Sequence, residues 1–190
     1  MELKFQNFKI RMDFSFPAML LMLFMQTDNQ VIRQSLLVCL IHELGHGLAI
    51  CLTNAGIREI RFYAAGIRME TASGLLRTGQ VLVICLSGPL MNLFCAVLYW
   101  KISPETAAVH LGMGMFNLFP FRILDGGAAI ECLFENRAEI LQIRKIFCIM
   151  LSAVSIFLLY CWNFENPALY LMAGFLAISE FAVDKQHPLW

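Results

Sequence analysis

The stretch Leu36-Leu37-Val38-Cys39-Leu40-Ile41-His42-Glu43-Leu44-Gly45-His46-Gly47-Leu48-Ala49-Ile50-Cys51-Leu52 decides how this chain is read. Almost every position is apolar, and with its flanks the run approaches the roughly 20 residues of a spanning helix. Yet three ionisable side chains sit in its middle, in the pattern H-E-x-x-H. Burying such groups in hydrocarbon is costly unless they pair or bind a metal. On a helix, residues four apart lie on one face, so the imidazoles of His42 and His46 can reach one tetrahedral ion at about 2.0–2.1 Å. Glu43 points to the side, where it can meet a water rather than the ion and carry a proton to a leaving amine. The plainer alternative is that both histidines hydrogen-bond neighbouring helices.

Working outward, the whole chain is unusually apolar. Its 190 residues are 59% hydrophobic and 15% charged, with mean hydropathy +0.67. Soluble domains run at about 45–50% and about 25%. An integral membrane protein is expected. Net charge is zero and no basic run occurs, so no nucleic-acid partner is expected. The seven cysteines form no close pairs and read as small hydrophobes. Cys39, one turn before His42, is the one cysteine whose position could bring it near a metal.

Six apolar segments are expected to span, at approximately 14–25, 35–53, 80–100, 106–124, 140–162 and 167–183. They would form one transmembrane domain over 1–190, all-α apart from one short hairpin. Lys4, Lys9 and Arg11 precede the first segment like a signal peptide. No small-x-small cleavage site follows, so the segment is kept as an uncleaved span. In the polar stretch 54–79, Arg58–Ala64 alternates like a strand. Ala65-Gly66 reads as a turn before Ile67-Arg68-Met69-Glu70, predicting a β-hairpin after the second span. The stretch 125–145 reads as holding a short amphipathic helix.

With a cytoplasmic N-terminus, twelve cations face inward: Lys4, Lys9, Arg11, Arg58, Arg61, Arg68, Arg77, Arg122, Arg137, Arg144, Lys145 and Lys185. Only Arg33 and Lys101 face outward. That bias predicts a cell-membrane protein with both termini in the cytoplasm. It also favours an even number of spans.

A catalytic zinc needs a third protein ligand and an open position. The best candidate lies in Asn117-Leu118-Phe119-Pro120-Phe121-Arg122-Ile123-Leu124-Asp125-Gly126-Gly127. Pro120 breaks the helix, and the two glycines let the chain turn directly after the carboxylate. A broken helix at membrane depth needs protein or a wet cavity around it, and a metal site offers both. Read alone, the segment is as readily a helix end closed by a glycine turn. Glu131 and Glu135 come later, in the polar stretch, and are poorer candidates. His110 reads as a packing residue.

His42-Glu43-Leu44-Gly45-His46, then Ser87-Gly88-Pro89-Leu90-Met91-Asn92, then the N-x-x-P-x-x-x-x-D-G-G run from Asn117 follow one another in an order that resembles the site-2 protease family. Within that family of intramembrane zinc metalloproteases, the compact six-span branch of sporulation proteases that process a pro-sigma factor is the most similar. The resemblance covers about 36–128 through its motifs and most of the chain through its span plan. It implies Zn2+ as the cofactor, His42, His46 and Asp125 as its ligands, and Glu43 as the catalytic base. It implies that Asn92 and Asn117 hold the substrate, and that the hairpin clamps an unwound substrate by strand addition.

The activity so implied is cleavage of a membrane-tethered protein in or near its membrane segment. Such substrates include transcription-factor precursors and anti-sigma factors. The partners implied are that substrate, the bilayer and a regulatory membrane protein. Because the chain ends at Trp190, neither the nucleotide-sensing domain nor the extracytoplasmic peptide-binding domain of other branches is expected. Two other functions use the same residues: a membrane metal carrier or sensor, and an inactive scaffold that binds substrates. Glu43 speaks against both, since neither needs a carboxylate beside its metal.

Overall fold

The structure, a computed structural model, describes residues 2–4, 9–14, 16–18, 21, 29–63, 66–72, 76–162 and 167–182. Its elements in chain order are β1 (Glu2–Lys4), β2 (Lys9–Met12), α1 (Asn29–Leu52), β3 (Ile57–Tyr63), β4 (Gly66–Thr71), α2 (Thr78–Tyr99), α3 (Pro104–Asn117), α4 (Asp125–Leu133), α5 (Ala138–Cys161) and α6 (Pro167–Ala182). The chain divides into two compact units, Met1–Asn117 and Leu118–Pro188.

In the first unit α2 packs against both α1 and α3. On α1 the side chains of Val38, His42, His46, Ala49 and Ile50 are buried, whereas Leu37, Leu40, Leu44, Leu48 and Leu52 are exposed. Both sets recur every three to four residues, so the helix has a protein face and an outward apolar face. In water such a face would be a large liability. In lipid it is the expected surface. Among the described residues, α1, α2 and α5 are long and apolar enough to cross a membrane, and α6 carries a shorter apolar stretch, Leu169–Glu180. The expected first span at 14–25 lies mostly outside the described residues.

The expected hairpin is present as β3 and β4, paired antiparallel from Tyr63↔Gly66 to Ile57↔Thr71. It belongs, however, to a larger sheet of order β1-β2-β3-β4. β2 runs parallel to β3, with Ile10 opposite Ile60. The Asp13 carboxylate accepts from Arg61 at 2.7 Å and its backbone N–H reaches the Phe62 carbonyl at 2.9 Å. Nε and Nη2 both donate to the one Asp13 Oδ2, and these hydrogen bonds chiefly hold the Arg61 guanidinium above even its usual high pKa. Met69 of β4 joins Ala49, Ile50, Ala55 and Ile84 in one buried cluster, which seats the sheet against the ends of α1 and α2.

The end of α1 explains that placement. The Ala55 N–H reaches the Ile50 carbonyl at 3.1 Å and the Asn54 N–H the Cys51 carbonyl at 3.2 Å, with Asn54 at φ 53°. This is a Schellman closure with asparagine in the left-handed position usually given to glycine. Gln80 completes the corner. Its Oε1 accepts from the Arg77 N–H at 2.9 Å and its Nε2 donates to the Thr53 carbonyl at 3.0 Å.

In the second unit α5 packs against α6. The helix break expected at Pro120 lies a little earlier, and the glycine turn expected after Asp125 is corrected. α3 stops at Asn117, and 118–124 is irregular. Proline disfavours helical backbone in the residue before it, so the break falls ahead of Pro120 rather than at it. Asp125, in turn, opens a new helix instead of closing an old one, and Gly126 and Gly127 lie inside α4 rather than in a turn. Both glycines serve close approach. A Cβ on Gly126 would strike the Leu118 carbonyl and lie 2.8 Å from the Phe119 oxygen, and one on Gly127 would strike the Phe121 carbonyl.

Candidate metal centre

His42 and His46 occupy adjacent turns of α1, and their Nε2 atoms face each other at 3.1 Å. Both rings are buried, at 4% and 1% exposure. Each is held from behind. His46 Nδ1 donates to the Ile84 carbonyl at 2.7 Å, and His42 Nδ1 lies 3.2 Å from Asn92 Nδ2. The Ile84 carbonyl also accepts from Ser87 Oγ at 2.6 Å. Both partners of the rings therefore come from α2, in the turns around Ser87-Gly88-Pro89.

Glycine at two points lets α2 come close enough. A Cβ on Gly88 would lie 2.8 Å from His42 Nε2 and 2.7 Å from His46 Cε1, inside the space between the rings. A Cβ on Gly45 would lie 2.7 Å from the Ser87 carbonyl oxygen. Two ring nitrogens converging on a gap that a methyl group would fill, each with its other nitrogen anchored, are the donors that half of a four-coordinate site would need. These residues fit a zinc ion by donor type and by aim.

Behind this pair runs a second layer that the sequence did not reveal. Asn92 and His110 are both fully buried. Asn92 Oδ1 lies 3.1 Å from His110 Nδ1, and the His110 ring stacks on Tyr99 with centroids 5.9 Å apart. Glu43 is partly buried on the turn between the two histidines. Asn117 donates from Nδ2 to the Met113 carbonyl of its own helix at 3.1 Å, and its side chain stays half-buried. Cys39 is exposed.

Asp125 is the first residue of α4 and is buried, at 8% exposure. A carboxylate there is favoured by the unpaired N–H groups and positive dipole end of the helix. The irregular segment before it is tied down by an ion network that was also missed. Arg144 of α5 donates to the Pro120 carbonyl at 2.7 Å and pairs with Glu180 of α6 and with Glu131 of α4, both at 3.1 Å. Glu180 Oε1 also accepts the Arg122 N–H at 2.8 Å, while the Arg122 guanidinium meets Glu131 at 3.0 Å. Arg144 had counted only as an inward-facing cation. The signal was available in Glu180, an acid inside the apolar segment 167–183.

The helices, their apolar outer faces and this centre define the class: a membrane protein with the fold of the site-2 proteases. The match to the solved site-2 protease from Methanocaldococcus jannaschii has a TM-score of 0.65 and covers 98% of each chain, at 18% identity. By sequence, the chain is similar to Stage IV sporulation protein FB of Bacillus subtilis (strain 168), 26% identical over 172 residues. That alignment takes in 80% of this chain, which spans 57% of the relative's length. No family model matches. The two likenesses together support the site-2 protease family, an intramembrane metalloprotease family, as the one the motifs resemble.

Proposed function

We propose that this chain is a zinc-dependent intramembrane endopeptidase. It would cleave a peptide bond in or near the membrane segment of a membrane-tethered protein, such as a transcription-factor precursor or an anti-sigma factor. The observation that carries this reading is the pair of buried Nε2 atoms 3.1 Å apart, each ring held at Nδ1, with Gly88 leaving the gap between them open.

His42 and His46 would supply two ligands and Asp125 the third, on the strength of its burial, its helix-opening position and the D-G-G motif. A bound Zn2+ would supply Lewis acidity toward the scissile carbonyl and bring the pKa of a water to about 7. The Glu43 carboxylate accepts the proton of the attacking water and returns it to the departing amine nitrogen. The substrate must arrive unwound, because helical hydrogen bonds cover its carbonyls. β4 is an edge of the sheet among the described strands, and that edge is the surface offered for strand addition to such a segment. Asn117, beside the helix break, is the second substrate contact proposed.

The test is Glu43→Gln in the full chain in detergent, with zinc content and cleavage of a tethered model substrate measured together. Zinc should be retained, and turnover should fall by about 10²–10⁴. Retained turnover removes Glu43 from the chemistry. Stoichiometric zinc with no cleavage by the parent of any tethered substrate favours the carrier or scaffold.

A further inference from the structure

The second layer behind the histidines has a definite polarity. A carbonyl only accepts, so His46 Nδ1, 2.7 Å from the Ile84 oxygen, carries the proton, and a neutral His46 shows its lone pair at Nε2. A hydrogen bond from His42 across the 3.1 Å gap then needs the His42 proton on Nε2. His42 Nδ1 becomes an acceptor, as suits Asn92 Nδ2 at 3.2 Å, and Asn92 Oδ1 accepts from His110 Nδ1 at 3.1 Å. His110 Nε2 is left buried with no hydrogen-bond partner among the described residues. Every link is satisfied up to that last nitrogen.

A cation between the rings requires the opposite sense along the same chain. His42 must then offer its Nε2 lone pair, so its proton sits on Nδ1 and needs an acceptor. The carboxamide of Asn92, already 3.2 Å from that nitrogen, supplies one through its oxygen. Amide oxygen and nitrogen are nearly isosteric, so a half-turn of the amide places Oδ1 on His42 and Nδ2 on His110. His110 Nδ1 then accepts, and its proton moves to Nε2. The number of protons is the same in both states; only their positions change.

We propose that Asn92, backed by His110, is the positioning residue for the metal ligand His42, turning its carboxamide so that the ring presents Nε2 to the ion. This rests on His42 and His46 being metal ligands, and it gives Asn92 a task other than touching substrate. Aspartate does the same job without a turn, because either oxygen accepts from Nδ1–H, the usual carboxylate–histidine–metal arrangement.

The test uses the full chain in detergent and reads metal rather than cleavage. Zn2+ and Co2+ affinities come from competition with a chelator, and the visible spectrum of the Co2+ form reports coordination. Asn92→Leu should bind about 10–100-fold more weakly, the usual cost of losing such a partner. Asn92→Asp should bind as tightly as the parent or tighter, with the parent's Co2+ spectrum. His110→Phe should fall between, because it removes the group that holds the amide. Asn92→Leu binding at parent affinity overturns the proposal. So does Asn92→Asp weakened tenfold or more, which decides the matter even where Asn92→Leu does not fold. A parent without stoichiometric metal, or His42→Ala binding it equally well, sinks the metal reading itself and is told apart by that control.

Discussion

Breaking the Arg144–Glu180 pair should cost more than removing it altogether. Their side chains are 8% and 1% exposed, with nitrogen and oxygen 3.1 Å apart. At that separation the attraction is about 5 kcal/mol for an effective dielectric near 20. Desolvating the two ions costs a comparable amount, because each loses several kcal/mol of hydration. The pair is incompletely served as well: Arg144 Nε and Glu180 Oε2 are buried without hydrogen-bond partners among the described residues. Its net contribution is therefore small. Arg144→Met nevertheless leaves the Glu180 carboxylate buried without its guanidinium and should cost about 3–5 kcal/mol. Glu180→Leu leaves the buried guanidinium with only the partly exposed Glu131 carboxylate, which it shares with Arg122, and should destabilise by less.

In the double variant neither charge remains. Its remaining cost is chiefly the loss of the Glu180 acceptor of the Arg122 N–H, about 1–3 kcal/mol, since the Pro120 carbonyl still accepts from Cys148 Sγ at 3.2 Å. The two singles should thus combine to less than their sum, a coupling outside the usual additivity error of about 0.5 kcal/mol. Thermal denaturation in a fixed detergent gives the comparison. Amide hydrogen exchange over 118–124 gives the second readout, and it should stay fast in the double variant because the clamp on that segment is gone. Cleavage should stay lost for the same reason. Additive singles would refute the buried-pair account. A double variant with restored cleavage would show that the clamp does not position Asp125.

The remaining predictions concern the centre and its surroundings. Asp125→Asn should lose zinc during dialysis against a mild chelator, by on the order of 3 kcal/mol if zinc affinity is shared over four ligands, and should lose cleavage with it. Exposed Glu135→Gln should alter neither, and Glu131→Gln, which accepts from both Arg122 and Arg144, should lower thermal stability without releasing zinc. Gly88→Ala, whose Cβ would lie 2.8 Å from His42 Nε2, should reduce zinc stoichiometry in a protein that still folds; full occupancy would mean the gap is not the metal's. A single cysteine at Arg68, on a cysteine-free background, should resist an impermeant reagent added outside spheroplasts, since the cation bias puts that segment in the cytoplasm. Labelling from outside would invert the topology.

How much of this was legible in the sequence depends on the range of the interactions involved. The facing Nε2 atoms followed from a local rule, because side chains four apart on a helix meet whatever else the chain does. The β3–β4 hairpin was local too. β1 and β2 were not foreseen, because β2 pairs with β3 in parallel from far away in sequence, and no turn signal announces such a pairing. The N-terminal cations of Lys9 and Arg11 read as topology determinants, and they are strand residues as well.

The harder misses are chemical rather than topological, and they share one cause. Gly126 and Gly127 looked like a turn because glycine is usually explained by backbone freedom. Their backbone is helical, and the demand for glycine comes from the carbonyls of Leu118 and Phe121, which only the folded chain brings near. The resemblance implies a substrate contact at Asn92 and does not name the group that the amide bonds to within the fold. The thing it bonds to, an imidazole on the neighbouring helix, is fixed by helix packing and not by spacing along α2. Glu180 is the instructive case. The rule that flagged His42, Glu43 and His46, that an ionisable group in an apolar segment needs a partner or a metal, applies to it with equal force. A lone acid has no motif around it to show which partner it takes. A sequence shows which residues are in debt for a partner; only the fold shows which residue settles it, and here Arg144 does so by the same guanidinium that holds Pro120 in the segment leading to Asp125.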